Sequence, residues 1–199
     1  TKLPNKNALE EDIIKLKNPK LLLCKIEDYE LLGEFYTEKI ASKIEIEFSK
    51  VVIDLFPKEL IAAKTYHTNE GEFTFVYDDI ENLLTDDLSY ELFGLFQNNI
   101  KKHIIKLNDY EYDISIILSY VHGKGNLYEN ARVGLNHALK KDKEFIIANT
   151  IISEIQKSAK VNVQTIKMIK QAISTNSIVS HYQPIFNFHT NKIEKYESL

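Results

Sequence analysis

From Leu32 onward the chain places an apolar residue at every fourth position: Leu32, Tyr36, Ile40, Ile44, Phe48, Val52 and Phe56, backed by Phe35, Val51 and Leu55. That spacing predicts helix across Asp28 to Phe56. A strict four-residue step drifts around a straight helix, so the pattern predicts two helices with a bend near Tyr36 to Glu38, closed by Pro57. Before this region, Asn5 or Asn7 can cap a helix running to about Lys17, with Leu9, Ile13, Ile14 and Leu16 on its apolar side, and Asn18-Pro19 ends it. Leu21 to Ile26 (LLLCKI) is an unbroken apolar run of the length and type found in strands buried on both faces.

The period changes to two in the next stretch. Ala62 to His67 and Glu72 to Tyr77 flank the turn Asn-Glu-Gly and predict a β-hairpin. An acidic loop, DDIENLLTDD, follows. Leu88 to Ile104 is amphipathic and predicts a helix. Tyr110 to Val121 reads as one long strand, HGKGN as a loop, Leu127 to Leu139 as a helix and Glu144 to Asn149 as a strand. Thr150 to Ile173 is a further helix with Ile151, Ile155, Ile166, Ile169 and Ile173 on one side. Ile178 to Phe188, the turn HTNK and IEKYESL form a second hairpin. Strands alternating with helices predict an α/β (α+β sandwich) domain over residues 1–149, with a central mixed sheet that includes a β-hairpin and is flanked by helices. Residues 150–173 then connect to a new element, 174–199.

Bulk properties narrow the function classes. The 199 residues carry 25 Lys and Arg against 29 Asp and Glu, a net charge of −4, and no basic run stands out, so no nucleic-acid surface is indicated. No apolar run approaches the roughly 20 residues needed to cross a bilayer, and the first residues lack the apolar centre of a signal peptide, so the expected compartment is the cytoplasm. Cys24, the one cysteine, lies in the apolar run and reads as a buried inert thiol. Both ends are expected to be cut points within a longer chain. His67, His103, His122, His137, His181 and His189 make no HxxxH or HxH pair, and HGKGN lacks P-loop spacing, so neither a zinc site nor a phosphate loop is expected.

The turn TNEGEF raises a sharper question. Glu70 and Glu72 straddle a glycine, and carboxylates that face a strand end could hold divalent cations against phosphates. The neighbouring strand ends in Lys25-Ile26-Glu27-Asp28. At this point the sequence resembles the GGDEF domain of bacterial diguanylate cyclases, followed by the opening of an EAL phosphodiesterase domain. TKLPNKNAL is similar to that family's LTxLPNR motif, LLLCKIEDYELLGEFY to LLxxDIDxFKxIND, Asn69-Glu70-Gly71-Glu72-Phe73 to the GGDEF signature, Ile114 to Ser119 to the family's Ser-Ile-Gly strand, and ARVGLNHAL to ADxALYxAK. HYQPIFNFHTNKIEKYESL resembles YQPI…EAL, with Tyr182, Gln183, Pro184, Ile185, Glu197 and Leu199 matching and Ser198 replacing Ala.

The resemblance implies the nucleotidyl-cyclase-like fold, and its departures imply a silent site. The family's metal-holding acids correspond to Lys25 and Gly71, and only Glu72 of the signature keeps its acid. The guanine-reading positions correspond to Gly33 and Ser42, and the phosphate-binding lysine to Leu139, with Lys140 adjacent. The product-inhibition motif RxxD aligns with Leu60 to Ala63 and lacks both its Arg and its Asp. On this reading Glu70 is an exposed turn residue and Glu72 is paired locally on the hairpin. No catalytic residue and no cofactor are expected for this fragment. The implied parent is a GGDEF–EAL protein that hydrolyses cyclic-di-GMP, with Mg or Mn expected in the complete EAL domain, Glu197 as a metal ligand and Gln183 as a nucleotide contact. The implied partners are the adjacent EAL domain, GTP or cyclic-di-GMP, and a second copy in a homodimer. Three alternatives remain open from sequence: a domain that binds GTP without turning it over, through Lys25 or Lys140; an active cyclase; and a pure dimerisation module.

Overall fold

The computed structural model describes residues 1–60 and 62–198. The chain divides into two compact units, Thr1–Ser153 and Glu154–Leu199.

The first unit is built on a five-stranded sheet of β1 (Pro19–Ile26), β2 (Lys64–Asn69), β3 (Glu72–Asp78), β6 (Ile116–His122) and β7 (Phe145–Ile147), in the order β2-β3-β1-β6-β7. All neighbours are antiparallel except β6 and β7, which run parallel, so the sheet is mixed. β1 is its central strand, which is why its sequence is apolar on both faces. Leu22, Cys24 and Ile26 join one core with Ile44, Phe48 and Val52 of α3 (Glu38–Asp54) and Phe93, Phe96 and Ile100 of α4 (Asp86–Lys101). Leu21 and Leu23 point the other way, into a core with Leu9 of α1 (Lys6–Ile13) and Ala131, Leu135 and Ala138 of α5 (Leu127–Lys140). Helices thus cover both faces, as the strand–helix alternation predicts. Cys24 is fully buried, and that burial pushes its thiol up in pKa.

The bend in the first long helical region is a break between α2 (Tyr29–Tyr36) and α3 at Thr37, whose hydroxyl caps α3 by accepting from Ile40 N–H. Four expectations are corrected. α1 stops at Ile13 rather than Lys17, because the Asp78 carboxylate takes the N–H groups of Lys17 and Asn18 and turns the chain into β1. Tyr110 to Val121 is two strands: β5 (Tyr110–Asp113) pairs with β4 (Ile104–Leu107) in a separate two-stranded sheet, and β6 restarts at Ile116 in the main sheet. Ile104 therefore belongs to a strand and not to the helix before it. The last strand shortens to Phe145–Ile147, since α6 (Ala148–Ser174) begins at once and the Asn149 amide bonds back to the main chain of His122.

The second unit contains the rest of α6 and an antiparallel hairpin, β8 (Tyr182–Asn187) and β9 (Lys192–Ser198). None of its described residues is buried. Among the described residues, no helix is long and apolar enough to cross a membrane.

Candidate functional site

The end of β1, the β2–β3 turn and the start of α2 meet at one corner of the sheet. Lys25 and Glu72 are directly opposed across the β1–β3 pair. Both side chains point toward the α5 face, following the alternation that sends Leu23 and Thr74 the same way. The Lys25 ammonium lies 2.7 Å from Glu30 Oε1 and 4.0 Å from Glu72 Oε1. Glu72 is 3% exposed, and its second oxygen accepts from the Tyr128 hydroxyl of α5 at 3.3 Å. Burial raises the pKa of the Tyr128 phenol, which keeps the proton on that donor. The hydrogen bond from Lys25 holds the Glu30 carboxyl below the usual carboxylate range. Glu72 is therefore paired across to the central strand and to a helix, which corrects the expectation of a pairing local to the hairpin.

Glu70 is exposed at the turn, as expected, beside Gly71. Gly71 has a positive φ of 65°, and a Cβ built on it would sit 2.7 Å from Tyr29 Cγ, so glycine is required by both backbone and neighbour. Its N–H donates to Glu45 of α3, and its carbonyl accepts from Ile26 N–H at 2.9 Å. Glu45 also lies 2.9 Å from His67 Nε2. Burial alone would raise the Glu45 carboxyl, but the bonds from His67 and the Gly71 N–H outweigh it and hold the group below its ordinary range. Phe73 is fully buried against Phe48 and His67, and Asn69 is exposed at the end of β2.

A cavity of about 560 Å³ opens beside this corner, lined by Tyr29, Gly33, Ser42 and the carboxylates of Glu30, Glu34, Glu38 and Glu70. The structure thus brings Gly33, Ser42 and Glu70 together around one space, with Lys25 at its edge through Glu30. Among the described lining residues none is basic. The Tyr29 phenol is pushed up to about 12, by burial first and then by Glu45, Glu70 and Glu30, so it stays protonated. Leu139 lies apart, half exposed near the end of α5 with Lys140 exposed beside it. In the second unit Gln183 and Glu197 are register partners across β8 and β9, with Ser198 opposite Tyr182. Leu199 and Ile61, the latter inside the aligned Leu60 to Ala63, lie outside the described residues.

Divalent cations do not fit the residues at this corner. A divalent ion at the end of β1 would face the Lys25 ammonium, and about 4 Å of separation at an effective dielectric of about 20 opposes it by roughly 8 kcal/mol. Gly71 offers no side chain, and among the described residues no group of three or more His, Cys, Asp or Glu is placed to hold a metal. Sequence reading missed Glu45 and Tyr128. The signal for Glu45 was present: Ala41, Ile44, Glu45, Phe48 and Val52 share the buried stripe of α3, which puts a carboxylate where only a paired one is tolerated. Tyr128 carried no signal, because its partner is fixed only by how α5 crosses β3.

Sequence comparison finds no matching family model and no matching curated protein. Comparison of folds finds GGDEF domains. The GGDEF domain of DgcB from Caulobacter crescentus, solved in complex with c-di-GMP, is similar at a TM-score of 0.62 and 11% identity, covering 75% of this chain and 93% of that one. The FimX GGDEF domain from Pseudomonas aeruginosa is similar at 0.59 and 12%, covering 72% and 93%. Diguanylate cyclase SiaD from the same organism, solved with its activator SiaC, is similar at 0.61 and 9%, covering 73% of this chain; this chain spans 58% of that one. Identities this low establish the fold: the first unit has a GGDEF-like, cyclase-type mixed α/β fold.

Proposed function

We propose that the first unit is a catalytically silent GGDEF-like domain that regulates or scaffolds an adjacent EAL-type phosphodiesterase in a cyclic-di-GMP signalling chain. One observation carries the silence: the Lys25 ammonium lies between Glu30 and Glu72 where the resemblance requires an acid and a metal. The chain itself supplies a cation here, which pairs with Glu30 and faces Glu72. The second-unit hairpin supports the EAL part of the reading. It places Gln183 and Glu197, the residues that match a nucleotide contact and a metal ligand, opposite one another on paired strands. Its apolar residues Tyr182, Ile185, Phe186, Ile193 and Tyr196 are exposed, as expected for strands that need further sheet neighbours.

Retention of GTP without turnover has one observation in its favour, the surviving cavity. Its lining weighs against it, since four glutamates repel a triphosphate and the Lys25 ammonium is already paired with Glu30 and Glu72. The regulatory reading is tested by assaying cyclic-di-GMP hydrolysis in the longer chain with and without residues 1–149. A changed rate supports regulation. An identical rate, concentration dependence and stability contradicts it.

A further inference from the structure

The cavity beside the Gly71 corner carries charge of the sign that attracts a cation. Glu30 and Glu34 stand one turn apart on α2, Glu38 opens α3 after the break at Thr37, and Glu70 lines the space from the β2–β3 turn. Lys25 pairs with Glu30, whereas among the described residues Glu34, Glu38 and Glu70 have no cationic partner. Lys39 and Lys43 of α3 are not among the described lining residues.

Carboxylates alone gather on many solvated surfaces; Tyr29 sets this one apart. It is 7% exposed, its hydroxyl makes no hydrogen bond among the described residues, and it lines the cavity. Glu70 and Glu30, two of the lining carboxylates, are among the charges that act on its phenol, so the hydroxyl is aimed at this space. A hydroxyl so enclosed calls for a partner, and the cavity is where one can reach it. The floor is low. Gly33 lies within α2, where an added Cβ would meet nothing within 4 Å, and Ala41 contributes only a methyl group. The resulting volume of about 560 Å³ falls in the usual range for small-molecule sites.

The spacing of the charges selects the ligand. Among the described residues no group of three or more His, Cys, Asp or Glu is placed to hold a metal, so these carboxylates stand too far apart to converge on one ion. Side chains at i and i+4 of a helix, such as Glu30 and Glu34, leave it about 5–6 Å apart. A linear aliphatic polyamine carries its ammonium groups on short methylene spacers and reaches separate carboxylates in turn. Its methylenes can lie over Gly33, Ala41 and the Tyr29 ring. The Tyr29 phenol keeps its proton and accepts an ammonium N–H through a lone pair.

We propose that this cavity is a site for a linear aliphatic polyamine, held by Glu34, Glu38 and Glu70 and by the Tyr29 hydroxyl. The proposal goes beyond the silent-domain reading and is independent of the phosphodiesterase, which a different assay tests. Its test is isothermal titration of the chain with spermidine, and with magnesium at matched ionic strength. The expected result is saturable binding of one spermidine per chain, at least about tenfold tighter than magnesium. Gly33→Leu puts a side chain into the open space and should abolish binding. Its thermal melt without spermidine should match or exceed the native one, because leucine favours helix over glycine and displaces nothing there, so lost binding reads the site and not the fold. E34Q/E70Q should weaken binding by about tenfold or more, and Tyr29→Phe should weaken it measurably. No saturable binding, equal affinity for spermidine and magnesium as on a merely solvated acidic face, binding that survives both G33L and E34Q/E70Q, or binding that Y29F leaves unchanged would overturn the proposal.

Discussion

Lys25 is the residue on which the chemistry of this corner turns. In the sheet it is an ordinary central-strand position, directly opposite Glu72 and one pleat beyond Leu23. A carboxylate 3% exposed is tolerated only with a partner, and Glu72 has two, the Lys25 ammonium and the Tyr128 hydroxyl. Removing the ammonium leaves the carboxylate buried with one neutral donor. Lys25→Met should therefore lower the unfolding free energy by roughly 2–4 kcal/mol, and K25M/E72Q should recover most of that loss. Urea unfolding at neutral pH checks both. A K25M variant as stable as the native chain would mean that the pair contributes nothing. That a cation sits at this position was legible from sequence. What it touches was not, because Glu30 reaches it from α2 and Glu72, its partner across the sheet, is held by Tyr128 of α5, an arrangement that no local pattern specifies.

At the scale of elements, Glu45 joins α3 to the β2–β3 hairpin. Its carboxylate accepts the Gly71 N–H at the turn and lies against His67 of β2. The folded state holds this group below its ordinary value, so it contributes stability that is present above the ordinary value of 4.5 and is lost as pH falls through the lower folded value. Glu45→Gln should be less stable than the native chain near neutral pH, and the gap should narrow as pH drops below about 4.5. Parallel unfolding curves at neutral and acid pH would contradict this coupling. The elements themselves were largely legible: the fully apolar β1, the hairpin around Gly71 and the break near Thr37 each follow from period and turn chemistry. The β4–β5 pair was not, because Tyr110 to Val121 is continuously strand-like and only tertiary pairing divides it between two sheets. The same limit hid the direct passage from β7 into α6, since Ala148 and Asn149 suit either state.

At the scale of the whole molecule, the first unit has a cyclase-type fold, and the corner where Lys25, Glu30, Glu70, Gly71 and Glu72 meet is set into it. Both faces of the sheet are covered, the turn at Gly71 is tied to α3 and to Ile26, and the cavity beside it is lined with glutamates. The core depends on apolar packing and the corner on a few charged positions, so the scaffold and the chemistry of the corner can vary separately. We propose that this corner is closed to magnesium and guanosine triphosphate by its own lysine. Isothermal titration of the chain with GTP in magnesium tests it most directly. The expected result is no saturable heat, with or without the metal. Saturable, magnesium-dependent binding in the micromolar range would contradict it, whether or not Lys25→Met removes it.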